Sequence, residues 1–119
     1  MKYLCLIYRN EESMERSTSQ ERGTMTEEYF NFTQDIKNSG HLLGGEALQP
    51  TSTATIVRVR NGKVSTTDGP FIETKEQLGG FYLIEGKDLN DAIQVASRIP
   101  GAKTGAIEVR PIQVFSNGM

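Results

Sequence analysis

The six residues Tyr3-Leu4-Cys5-Leu6-Ile7-Tyr8 constrain the chain most. So short an apolar run is a strand. Because both of its alternating faces are apolar, it belongs in the middle of a sheet with something packed on each side. Two amphipathic helices are legible elsewhere. Met25, Tyr29, Phe32 and Ile36 recur at helical intervals after the capping-box spacing Thr24-Met25-Thr26-Glu27, and Gly40 supplies a stop. Asp88 caps a second helix whose stripe is Leu89, Ala92, Ile93, Ala96 and Ile99, ended by Pro100-Gly101. Two helices cover one face of a small sheet. The other face needs a different cover, and a second copy of the chain is the cheapest source.

The remaining segments fill in a sheet. Thr53 to Arg60 alternates, with Thr55, Val57 and Val59 opposite Ile56, Arg58 and Arg60; Asn61-Gly62 is a strong hairpin signal, and Lys63 to Thr67 returns. His41 to Pro50 is apolar but broken by Gly44-Gly45, a short strand of unassigned pairing. Phe81 to Ile84 is another strand, and Gly105 to Val114 is a last one, with Ile107 and Val109 opposite Glu108 and Arg110 and with Pro111 marking an edge or bulge. Asn10 to Gly23 is polar and aperiodic and reads as a surface connection. The sum is an α+β fold: a ferredoxin-like antiparallel sheet with two helices on one face, spanning residues 1–119 as one unit, since 119 residues leave no room for a second core.

Composition narrows the partners. With 36% hydrophobic and 24% charged residues the chain is an ordinary globular one. The formal net charge is −2 and the 13 basic residues are scattered, so no stripe exists to neutralise phosphates, and neither nucleic acid nor a membrane is an expected partner. The apolar run is only six residues long, with no basic n-region ahead of a longer hydrophobic stretch and no small-residue cleavage site, so a cytoplasmic location is expected. Cys5 is the single cysteine, which rules out an internal disulfide and a thiolate cage; it reads as a core residue. No cofactor and no metal is expected, and no phosphate-binding glycine loop occurs.

Candidate site residues cluster around residues 66–86, TTDGPFIETKEQLGGFYLIEG. Asp68-Gly69-Pro70 is turn chemistry in which the Asp accepts from backbone N–H groups, and the same carboxylate is placed to line a cleft with Phe71 as an apolar wall. Tyr29 adds a phenolic donor on an apolar helical face and is the candidate partner of Asp68, acid to its base. Glu46, beside Gly44-Gly45, is a second carboxylate for the cleft. Arg58, with Arg60, is a carboxylate fork or a solvated strand face. His41, the only histidine, follows the first helix and is a candidate ligand contact or a loop residue. Glu73-Thr74-Lys75-Glu76 reads as a charged turn. Tyr8 and Tyr82 read as strand packing residues with hydrogen-bonded hydroxyls.

MKYLCLIY, GGEALQP, STATIVRVRNGK and above all DGPFIETKEQLGGFYLIE resemble the DGPF subgroup of the YCII-related domain family over nearly the whole chain. The resemblance implies a ferredoxin-like domain that pairs into a dimeric α+β barrel with a cleft between sheet and helix in each subunit. It implies a homodimer and a small-molecule ligand; relatives fused to sigma-factor-like modules add a transcription-linked interaction role as an alternative. One branch of the wider superfamily contains a dehydrochlorinase with a His and Asp pair. Tyr29 falls at or near that His, which counts against imidazole acid–base chemistry and leaves two readings: a binding module, or a lyase or isomerase with Asp68 as general base.

Overall fold

The computed structural model describes residues 1–116. Strand β1 (Lys2–Arg9) lies inside a four-stranded antiparallel sheet, between β5 (Gln77–Glu85) and β6 (Ala106–Pro111), and β2 (Leu42–Ala47) forms the edge beyond β5. The order β2-β5-β1-β6 is that of a ferredoxin-like sheet, with β3 (Thr55–Arg60) and β4 (Lys63–Asp68) inserted as a separate two-stranded ribbon. Its turn forms as Asn61-Gly62 requires, with φ of 53° and 74° at the two residues. Pro111 ends an edge strand, where its missing N–H costs no ladder bond.

The helices differ from the sequence reading in two places. Asn10 to Gly23 is not a plain connection. It holds α1 (Glu11–Arg16) and the start of α2 (Ser19–Asn38). The capping box sits at Thr18 and Glu21, not at Thr24 and Glu27: Glu21 N–H donates to Thr18 Oγ1 at 3.1 Å and Thr18 N–H to the Glu21 carboxylate at 2.9 Å. The first turns bury nothing, so no apolar period announces them; local capping alone carries them. Gly40, at φ +81°, ends the helix as expected.

One face of the sheet is the core. Tyr3, Cys5 and Ile7 point to it from β1 and Ile84 from β5, against Phe32 and Ile36 of α2 and against Ala92, Val95 and Ala96 of α3 (Leu89–Ser97), with Ile99 just beyond. The α3 stripe is rotated from the expected one. Val95 is buried, whereas Leu89 and Ile93 are exposed, so the buried row is i, i+3, i+4, i+7 from Ala92. Each fully buried Ile contributes about 1.5–3 kcal/mol by leaving water.

Among the described residues the other face has no such cover. Leu4, Leu6 and Tyr8 alternate onto it beside Leu83, Phe81 and Leu78, their antiparallel partners, and all six are half-buried. The described fold is only 19 Å in its thinnest dimension. Its radius of gyration, 16.5 Å, exceeds the roughly 13.5 Å of a compact chain of this length, consistent with a ribbon that pairs only with itself.

Candidate functional site

A β-bulge organises the site. In the β1–β5 ladder Ile7 pairs with Gly80 and Tyr8 with Leu78, so Gly79 is the extra residue. Arg9, just past the bulge, lays its guanidinium over Gly79, where a Cβ would overlap Arg9 Nε. Gly80 and Gly45 are also forced small, since a Cβ on either would stand 2.8 Å from a carbonyl oxygen of the neighbouring strand. Arg9 therefore rests on bare backbone at the end of an apolar strand.

Helix α2 supplies the opposite wall. Tyr29 and Thr33 are one turn apart and share a helix face. Thr33 Oγ1 and the Tyr82 hydroxyl are hydrogen-bonded at 2.7 Å, and Tyr82 meets Phe32 edge to face at 5.2 Å between ring centres. The Tyr29 hydroxyl accepts from Gly101 N–H at 3.1 Å, an approach that needs Gly at 101 because a Cβ there would sit 2.7 Å from the phenol oxygen. Burial pushes the Tyr29 phenol up from its usual pKa, against smaller lowering effects from the Gly101 N–H and from Arg9, so it is protonated at neutral pH.

Between these walls lies a cavity of about 390 Å³ lined by Ile7, Arg9, Tyr29, Thr33, Leu42, Tyr82 and the backbone-rich pairs Gly44-Gly45 and Gly79-Gly80. That volume lies at the small end of the range for ligand pockets, roughly 300–1,000 Å³. Arg9 carries its one formal charge on the helix side. Glu46 also borders the cavity, but it pairs across from Phe81, so alternation turns its side chain to the opposite face of the sheet.

The sequence-predicted residues are dispersed. Tyr29 lines the cavity; Asp68 does not. Asp68 ends β4, opposite Thr55, on a ribbon outside the main sheet, so the expected pairing of Asp68 with Tyr29 at one cleft is not formed within a chain. The turn that follows is ordered by its backbone instead: Gly69 N–H donates to Ala54 O at 2.8 Å and Gly69 takes φ +102°, while no hydrogen bond to the Asp68 carboxylate is found among the described residues. Phe71 is exposed and lines a different groove with Pro50, Pro70 and Ile72, and the Arg58 guanidinium lies 5.4 Å from its ring centre, a cation–π contact rather than a carboxylate fork. His41 joins neither group. Its Nδ1 lies 2.7 Å from Ser39 Oγ and its Nε2 3.2 Å from the Asp91 carboxylate, which ties the end of α2 to the start of α3.

Arg9, Thr33 and the Gly79 bulge were not singled out from the sequence. Two signals pointed to them. Arg9 is the cation that follows the two-sided apolar run Tyr3 to Tyr8, and Thr33 is a hydroxyl four residues after Tyr29. The charged turn before Gly79 is tied to α1, through Asn10 Nδ2 to Lys75 O and Glu11 N–H to Gln77 Oε1, both 2.9 Å.

The YCII-related domain profile matches residues 1–116. An uncharacterized protein of Rhizobium meliloti (strain 1021) is 37% identical over 121 aligned positions, covering 99% of this chain and 97% of that one. A solved structure of 5-chloro-2-hydroxyhydroquinone dehydrochlorinase from Burkholderia phenoliruptrix AC1100, in complex with 2,5-dihydroxybenzoquinone, superimposes with a TM-score of 0.57 over all of both chains at 12% identity, a likeness of fold.

Proposed function

The chain belongs to the YCII-related domain family, and from that premise we propose that it is a homodimeric small-molecule-binding protein whose ligand occupies the cavity between α2 and the strands β1, β5 and β2. The observation that carries this reading is the cavity itself: apolar walls, two tyrosines, a threonine and one arginine converge on a space the size of a small ring compound. The dehydrochlorinase of like fold is a protein solved with such a compound bound, which supports the same use here. Asp68 stands outside the cavity, so binding is favoured over a reaction with Asp68 as base.

The dimer follows from the uncovered face. Leu4, Leu6, Leu78, Phe81 and Leu83 form a contiguous apolar surface flanked by Glu46, Glu108 and Arg110, the pattern of an interface core with a charged rim.

A thermal-shift screen of small ring compounds, followed by amide chemical-shift mapping, tests the reading. A ligand at 100 times its Kd stabilises by about 2.7 kcal/mol. Its shifts should concentrate on Gly45, Gly80, Tyr82 and Gly101. Binders whose shifts all fall on the ribbon or on the open sheet face would overturn the assignment of the site.

A further inference from the structure

We propose that the cavity is built for a compact aromatic carboxylate, its carboxylate held by Arg9 and the Tyr29 hydroxyl and its ring laid on the glycine floor. The inference rests on the cavity being the binding site and names the class of ligand.

Arg9 is the first observation. Among the described residues it has no carboxylate within 4.0 Å, and its Nε is covered by protein without a hydrogen-bond partner. A guanidinium that lines a cavity with no protein counter-ion is a ready partner for an anionic acceptor brought by a ligand. Its planar fork matches a carboxylate better than any neutral group. The nearby acids do not compete: Glu28, beside Tyr29 on α2, is 3.5 Å from Lys103, and Glu46 alternates to the opposite sheet face.

Tyr29 is the second. Its oxygen already accepts from Gly101 N–H, so the hydroxyl proton is the part left for the cavity, and the phenol keeps that proton at neutral pH. A hydroxyl donor and a guanidinium lining one cavity together favour an anion. The third is the floor. Gly45 and Gly80 cannot carry side chains without striking neighbouring atoms, and with Gly44 they border the cavity beside Tyr82, so peptide surface rather than side chain faces a flat ring there.

Benzoate, benzamide and benzyl alcohol, titrated calorimetrically and by amide shifts into the full chain, decide the matter. Benzoate should bind and shift Gly101 and Gly80. Benzamide and benzyl alcohol should bind at least about tenfold more weakly, as should benzoate to Arg9→Met, with Arg9→Lys recovering part of the loss and Tyr29→Phe losing less. Arg9→Lys keeps a cation at the site, which guards against a folding failure of Arg9→Met. If the neutral compounds bind as well as benzoate and Arg9→Met binds all three alike, the carboxylate is wrong while the cavity stands. If none of the three perturbs a cavity amide at millimolar concentration, the carboxylate assignment fails; the proposed cavity then falls only if the broader screen also places its binders elsewhere.

Discussion

The Arg9 guanidinium lies across the backbone of Gly79, so closely that a methyl group there would overlap its Nε. The atoms that would be displaced belong to the flexible Arg9 side chain rather than to backbone, so Gly79→Ala should fold and expel Arg9 from its place. We expect native circular dichroism and a loss of benzoate affinity matching that of Arg9→Met. Undiminished affinity would mean that the bulge glycine does not position the arginine.

The open sheet face predicts its own test. Leu6 stands at its centre between Phe81 and Glu108. Sedimentation should give twice the chain mass for the native protein at micromolar concentration, and Leu6→Glu should give a folded monomer, since a buried carboxylate directly across from Glu108 has no partner and is costly. A native protein that sediments as a monomer would remove the dimer.

Ile84 is fully buried between the helices and β1. Ile84→Ala should cost about 2–5 kcal/mol in urea unfolding, the range for truncating a core aliphatic side chain. Val57→Ala, on the exposed ribbon, should cost under about 0.5 kcal/mol unless a second chain covers it. Comparing the two over a range of protein concentrations shows whether the ribbon joins the proposed interface.

Asp91 titrates below the ordinary carboxylate range because Lys87 N–H donates to it at 2.9 Å and His41 bonds it as well. In the window between its folded and unfolded pKa values the unfolded chain binds more protons. The stability it contributes is therefore present above the unfolded value, about 3.9, and is lost as pH falls through the folded one. Asp91→Asn should lower Tm at pH 7, and the gap to the native protein should close towards pH 2. A gap independent of pH would assign the effect to packing.

Burial raises the Cys5 thiol from 9.0 to about 11. Native protein should resist iodoacetamide at pH 8 and react at the rate of global opening. Stability should fall as pH rises from 9.0 to about 11, where the unfolded thiol ionises and the folded one does not. Rapid labelling of folded protein would place Cys5 outside the core.

Local rules written in consecutive residues were enough for much of the fold. The two-sided strand Tyr3 to Tyr8, the Asn61-Gly62 turn, the Gly40 stop, the Asp88 cap and the edge position of Pro111 each depend on alternation, sterics or a hydrogen bond within a few residues, and each is where the sequence placed it. Tyr29 was also legible, as a hydroxyl on an apolar helical stripe. The site's other half was not. Whether Asp68 or Arg9 faces Tyr29 depends on which strands pair and in what register, and the ribbon that carries Asp68 pairs only with itself while β1 brings Arg9 over a bulge at Gly79, seventy residues away in sequence. Contacts of that kind are set by the side chains that fill the core between sheet and helices. One residue of register turns Glu46 away from the cavity, while the alternation of β1 puts Arg9 on the Ile7 face, above the bulge glycine of β5.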